Sequence, residues 1–311
     1  MIEGFRRSST RRSVAGLTAI AVCATLAAVA ATAALADPPP ALFAGGTQGV
    51  VFVHGAHGAG NPHRNGSQQL VYHNGGVMTT GASVKSIFWG SSWDNANFAG
   101  DKIGGIDSFY KGVGGTSYAG TNTEYTQSGG QTVSGSVSYS NSVVDTGATS
   151  TAAPSTSAVL AVVARNVSNP TTNGYYPVYS ERGRGHAGYC AWHSWGYIGT
   201  TLVQFAFFFN LEGDPGCDAG TVSGQSQGLT ALGNVSGHEL SEALTDPHGD
   251  AWYDNSGNEN ADKCAWTFGS GLVQFSNSTS WKIQGNWSNA AYTNGGSYLG
   301  AGSGCNDGNT Y

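Results

Sequence analysis

GHELSEALTDPHGDAWYDNSGNENADKC, residues 237 to 264, carries His238, Glu239, Glu242, Asp246, His248, Asp254, Glu259 and Asp262 in a chain where only 10% of residues are charged. Upstream and inside it, Leu229, Leu232, Val235, Leu240, Ala243 and Leu244 recur at helical steps, which predicts a helix over about 229–245. Pro247 disfavours helical geometry at Asp246. The helix is therefore expected to stop just after Glu242 and the chain to turn back.

On such a helix His238 and Glu242 stand one turn apart on the same face and can share one ion. Glu239 lies on the rim of that face, where H-E-x-x-H metalloproteases place the carboxylate that activates water. Here the second histidine is Glu242, giving H-E-x-x-E, and carboxylate oxygen is an ordinary zinc ligand. The returning chain offers three candidates for a third ligand. Asp262 is preferred because it lies close to Cys264, whose bridge would hold it rigidly. His248 is the alternative, at the interval of the long metzincin pattern but without its turn glycine, since Thr245 stands there. Asp246 is expected to cap the turn before Pro247. Asp254, Ser256, Asn258 and Glu259 form a separate calcium-like loop that lacks the EF-hand spacing. Zinc is thus the expected cofactor, with calcium as a second possibility.

Further out, VKSIFW (84–89), AVLAVVA (158–164) and LVQFAFFF (202–209) are short apolar runs that read as core strands. Residues 97–113 carry Phe98, Ile103, Ile106, Phe109 and Tyr110 at helical spacing, interrupted by Gly104 and Gly105. Segments 272–275 and 281–284 suggest a closing hairpin. The expected fold is α+β (mixed α/β), a central mostly antiparallel or mixed sheet with a zincin-like active-site helix packed on it.

The N-terminus reads differently. Arg6, Arg7, Arg11 and Arg12 precede an apolar run over 14–35 and a small-x-small site ending at Ala36, the pattern of a secretory signal peptide. The Arg11-Arg12 pair leaves Sec and twin-arginine export both open. Residues 37–69, rich in Gly, Pro, Asn and His, read as a flexible lead-in with at most one edge strand. His54, His57 and His63 are expected there as loop histidines. A single secreted domain over 70–311 follows, with no stable membrane anchor after cleavage. Loss of four Arg against one Glu makes the mature chain more acidic than the −6 of the whole, which disfavours nucleic acid as a partner.

Cys23 leaves with the signal, so Cys190, Cys217, Cys264 and Cys305 remain, an even number suited to an oxidising compartment. Of three connectivities, Cys190 with Cys217 and Cys264 with Cys305 close the most modest loops. No C-x-x-C spacing supports a zinc site made of them. His193, in the Cys190-Ala191-Trp192-His193 turn, is a candidate accessory group for an oxyanion or a neighbour of the disulfide. His73 is a weaker candidate of the same sort. No G-x-S-x-G elbow supports serine catalysis.

The runs H-E-L-S-E-A-L-T-D-P, A-W-Y-D and G-N-E-N-A-D-K-C, with Tyr72-His73-Asn74-Gly75-Gly76-Val77-Met78, Ile87-Phe88-Trp89-Gly90 and Gly188-Tyr189-Cys190-Ala191-Trp192-His193, resemble secreted bacterial relatives of the plant phosphate-induced and Exordium family. The resemblance spans about 71–305 and implies extracellular or cell-wall residence without an agreed reaction. The plant branch generally lacks the His-Glu pair.

Two functions are expected from these residues. One is zinc-dependent hydrolysis of a peptide or cell-wall substrate, metallopeptidase-like, with His238, Glu242 and Asp262 on the metal and Glu239 as base. The other is a non-catalytic extracellular or cell-wall protein that stacks Trp252, Trp281 or Trp287 on glycan rings.

Overall fold

The runs at 84–89 and 202–209 sit inside two long strands of one sheet, and both are buried on both faces, as strands between covering layers must be. The structure is a computed structural model and describes residues 42–55, 69–150 and 153–309. The signal segment, His57 and His63 lie outside the described residues.

The strands are Leu42–Ala44 (β1), Gln48–Phe52 (β2), Val71–Tyr72 (β3), Ala82–Trp89 (β4), Val137–Asp145 (β5), Gly174–Gly183 (β6), Tyr189–Ile198 (β7), Thr201–Asn210 (β8), Trp252–Tyr253 (β9), Val273–Gln274 (β10), Ser280–Trp281 (β11), Asn286–Trp287 (β12) and Cys305–Asn306 (β13). The helices are Ala96–Ala99 (α1), Lys102–Val113 (α2), Ser117–Gly120 (α3), Thr156–Asn166 (α4), Gln227–Thr245 (α5) and Asn289–Asn294 (α6). The main sheet runs β1-β7-β8-β6-β4-β5, with β2 also on β7. Strands β5, β4, β6 and β8 are parallel, whereas β7 is antiparallel to β8 and receives β1 and β2 antiparallel on its other edge. The fold is α+β on a mixed sheet.

Strand alternation assigns the faces. Gly196 of β7 opens space for Leu160 of α4, whereas His193 faces Glu242 of α5. Residues an odd number apart point to opposite sides, so α4 covers one face and α5 the other. Helix α2 packs beside α5. A buried chain of hydroxyls fixes that side: Tyr110 of α2 meets Tyr179 of β6 at 3.0 Å, and Tyr179 meets Ser236 of α5 at 2.8 Å.

Three expectations are corrected. The run at 158–164 is helix α4 rather than a strand. Ser155 caps it, its Oγ accepting from the Ala158 N–H, and Val159, Leu160, Val162 and Val163 form one buried stripe. A continuous apolar run fits either state, and the cap decides between them. The helix expected over 97–113 is two helices, because Gly100 adopts a left-handed φ of 54° between α1 and α2. The 37–69 lead-in supplies, within its described part, two strands of the main sheet.

Both disulfides follow the expected pairing, Cys190–Cys217 and Cys264–Cys305, with Cα atoms 5.9 and 5.6 Å apart. Loops of 27 and 41 residues correspond to about 3.5 and 4 kcal/mol in a chain-entropy account. No helix among the described residues is long and apolar enough to cross a membrane.

Candidate metal centre

Helix α5 is buried from Gly228 to Thr245, and small side chains make that possible. A Cβ on Gly237 would stand 2.8 Å from both Ile283 and the Tyr118 hydroxyl, so only glycine lets the helix lie that close to its cover. At its start Ser226 Oγ accepts from the Leu229 N–H, and the Asp101 carboxylate in turn holds Ser226. The helix continues one turn past Glu242, to Thr245. The constraint from Pro247 acts on Asp246 alone, which leaves the helical region at φ −144°, ψ 60°.

Asp246 then reverses the chain: its Oδ1 accepts from the N–H groups of Asp250 and Ala251 at 2.8 and 2.7 Å. The return passes through β9 and ends in a 3-10 turn at Asp262–Cys264, which the Cys264–Cys305 bridge anchors. This brings Asp262 back over the helix. Its N–H donates to Glu242 Oε1 at 2.9 Å, and its Oδ1 lies 3.5 Å from His238 Nε2. His238 Nε2 is 2.9 Å from Glu242 Oε1. His238, Glu242 and Asp262 thus each offer a donor atom, all within 4.8 Å of one another.

His248 does not join them. It contacts Gln204 at 3.3 Å and packs edge-on against Trp195, in a separate cavity with Val77 and Met78. The calcium-like loop does not gather around a site either. Asp254 takes Lys263 Nζ at 2.9 Å and the N–H groups of Ser256 and Asn258, which neutralises it and uses its oxygens. Glu259 leaves that loop and points into the interior.

There it meets His193. His193 Nε2 is 3.1 Å from Glu259 Oε2 and 3.9 Å from Glu242 Oε2, and all three side chains are almost wholly buried. His193 had only the weak signal of its proximity to Cys190. Glu259 reads only as a member of the calcium-like loop, since its partner lies on a strand far upstream. His73 stacks on Tyr253, ring centroids 3.6 Å apart, and His54 on Trp266 at 4.1 Å.

Four buried carboxylates, Glu239, Glu242, Asp246 and Glu259, therefore converge with the partly buried Asp262. Among the described residues no ion pair brings a Lys or Arg to any of them. Burial and mutual repulsion raise Glu239 and Glu259 well above the ordinary range, and burial followed by the Asp262 charge lifts Glu242 to about 7. Burial, reinforced by the positive repulsion of His238 and His248, pushes His193 down to about 3, so its imidazole is neutral. Both oxygens of Glu239, Glu242 Oε2, Glu259 Oε1, Asp246 Oδ2 and His238 Nε2 have no hydrogen-bond partner. Each orphaned buried polar atom costs about 1–3 kcal/mol, more when charged. A bound divalent cation removes that cost, and imidazole with carboxylate is a donor set suited to zinc.

One contact sets a condition on loading. Gln284 accepts the Trp266 N–H and donates through Nε2 to Ala261 O and to His238 Nδ1, both at 2.9 Å. This puts the His238 proton on Nε2, 2.9 Å from Glu242 Oε1. An ion on Nε2 would displace that proton, and a proton carried on Nδ1 instead would face the Gln284 amide nitrogen, which is held in place by Ala261 O and the Trp266 N–H. Outer partners of this kind typically govern metal affinity by 10- to 100-fold. Gln284→Ala takes away an amide N–H that opposes a proton on Nδ1 and is accordingly expected to tighten zinc binding by up to about that factor, read by competition with a chromogenic chelator. Unchanged affinity would remove Gln284 from the site.

No family model, curated protein or solved structure matches the chain. The likeness to the Exordium proteins rests on the residue motifs alone.

Proposed function

We propose that the chain is an exported metal-dependent hydrolase, cleaved after its signal segment near Ala36 and acting on a peptide bond. The observation that carries this reading is the convergence of His238, Glu242 and Asp262 beneath a helix that also presents Glu239, with no cationic side chain to balance them. His238 Nε2, Glu242 Oε1 and Asp262 Oδ1 would hold the ion. When bound, it supplies Lewis acidity, polarising a substrate carbonyl and making water easier to deprotonate.

The remaining work falls to the chain. Glu239 takes a proton readily, because burial and the neighbouring Glu242 and Asp262 charges disfavour its ionised form. The His238 charge opposes that shift. A cavity of about 280 Å³, lined by Gln48, Gly49 and Tyr253 among others, reaches the edge of the cluster at Asp246 and Glu259. It gives a substrate strand an approach beside β2.

The glycan-binding alternative loses its aromatic platform. Trp281 and Trp287 are 2% and 0% exposed, and the half-buried Trp252 donates its indole N–H to Thr126 O. Elemental analysis of the exported protein, beside a His238→Ala, Glu242→Ala double variant, tests the proposal. At least one zinc per chain, lost in the double variant, is expected. Protein free of stoichiometric metal after purification without chelators would overturn it.

A further inference from the structure

Glu242 belongs to two donor sets at once. Its Oε1 faces His238 and Asp262, while its Oε2 faces His193, and His193, Glu242 and Glu259 bring a second group of donor atoms within 4.8 Å of one another. Glu242 Oε2 and Glu259 Oε1 are buried and have no hydrogen-bond partner, so the second set is as unsatisfied as the first. A carboxylate whose two oxygens address separate imidazole-carboxylate pairs has the arrangement of a bridging ligand.

We propose that the buried cluster is a dinuclear divalent-metal centre in which Glu242 bridges one ion held by His238 and Asp262 and a second held by His193 and Glu259. The inference rests on the reading that the first set holds an ion. Charge supports the second. A single dication beside Glu239, Glu242, Asp246, Glu259 and Asp262, all ionised, leaves three negative charges with no Lys or Arg among the described residues paired to them; a pair of dications leaves one. Mixed imidazole and carboxylate donors select a transition metal such as zinc or manganese over calcium, which prefers oxygen alone. Ions sharing one carboxylate lie roughly 3.5–4 Å apart in hydrolytic sites of this type.

The two positions differ in access. Glu259 lines the cavity beside Gln48 and Gly49, whereas His238 is wholly enclosed. The ion on His193 and Glu259 therefore exchanges first, and the ion on His238 and Asp262 is the more slowly lost. Gly49 belongs to the same design. Its backbone closes over the second set at a left-handed φ of 45°, and a Cβ there would stand 2.1 Å from Glu242 Oε2.

The test is metal stoichiometry on the exported, oxidised protein, stripped with chelator and then equilibrated with zinc. Two ions per chain are expected in the parent, one in Glu259→Gln and in His193→Ala, and neither in Glu242→Ala. Loading with manganese gives a second readout. Two Mn²⁺ ions across a shared carboxylate produce an exchange-coupled paramagnetic resonance spectrum, which should revert to an isolated six-line signal in Glu259→Gln. Near-ultraviolet circular dichroism identifies variants that fold; should His193→Ala fail, the near-isosteric Glu259→Gln decides. One ion in the parent, retained in Glu259→Gln and lost in His238→Ala, would overturn the second site and leave the single-ion reading standing. No ion in the parent would remove both.

Discussion

Glu239→Gln is expected to lower kcat for peptide hydrolysis by about 10²- to 10⁴-fold, the usual worth of a positioned general base, while metal content and fold remain. The substitution keeps the shape of a side chain that is 0% exposed and takes away its ability to accept a proton. It removes no hydrogen bond, because neither Glu239 oxygen has a partner. It also removes one negative charge from a set whose members raise one another, so the melting temperature should hold or rise slightly. Quenched-fluorescence peptide libraries report the rate, and elemental analysis reports the metal. Hydrolysis at the parent rate with metal retained would end the assignment of Glu239 as base.

Gly49→Ala should damage the site from outside the helix. The new Cβ would meet Glu242 Oε2 at 2.1 Å and His193 Cδ2 at 2.3 Å, at a backbone angle that non-glycine residues rarely adopt. Left-handed strain and overpacking each cost about 1–3 kcal/mol. For a domain of this size each kcal/mol lowers Tm by roughly 2–4 °C, so a fall of about 4–24 °C is expected, with loss of bound metal. Gly46→Ala is the control, since nothing lies within 4 Å of its added methyl. Equal Tm and metal content in the two variants would contradict the close approach of β2 to the cluster.

Helix α5 was legible because its apolar steps and the H-E-x-x-E spacing are both local. Asp262 was legible by a less direct route, through the cysteine that anchors its turn. The meeting of His193 with Glu259 was not, since β7 and the loop after β9 come together only through sheet pairing and chain reversal, and no spacing in one dimension encodes that meeting. The parallel strand β6, GYYPVYSERG, hid behind a proline and polar residues; it is buried because α4 and α5 cover its two faces. The Cys190–His193 stretch reads as a turn, yet it lies inside the ten-residue strand β7, whose His193 face is sealed by α5. The α4 error has the opposite origin, an apolar run too uniform to show a period.

The disulfides bear on when this protein becomes competent. Cys190 stands three residues before His193 on β7, and Cys264 two residues after Asp262, so each cross-link immobilises a segment that delivers a donor to the cluster. A reduced chain in the cytosol would hold those segments only by packing and would compete poorly for scarce intracellular zinc. On the proposed reading, oxidation after export would act as a timer: the ligand sphere would close only where thiols are no longer kept reduced. In a strongly reducing medium the lifetime of the loaded protein should track the rate at which its cross-links open, not the rate at which a chelator reaches the ion.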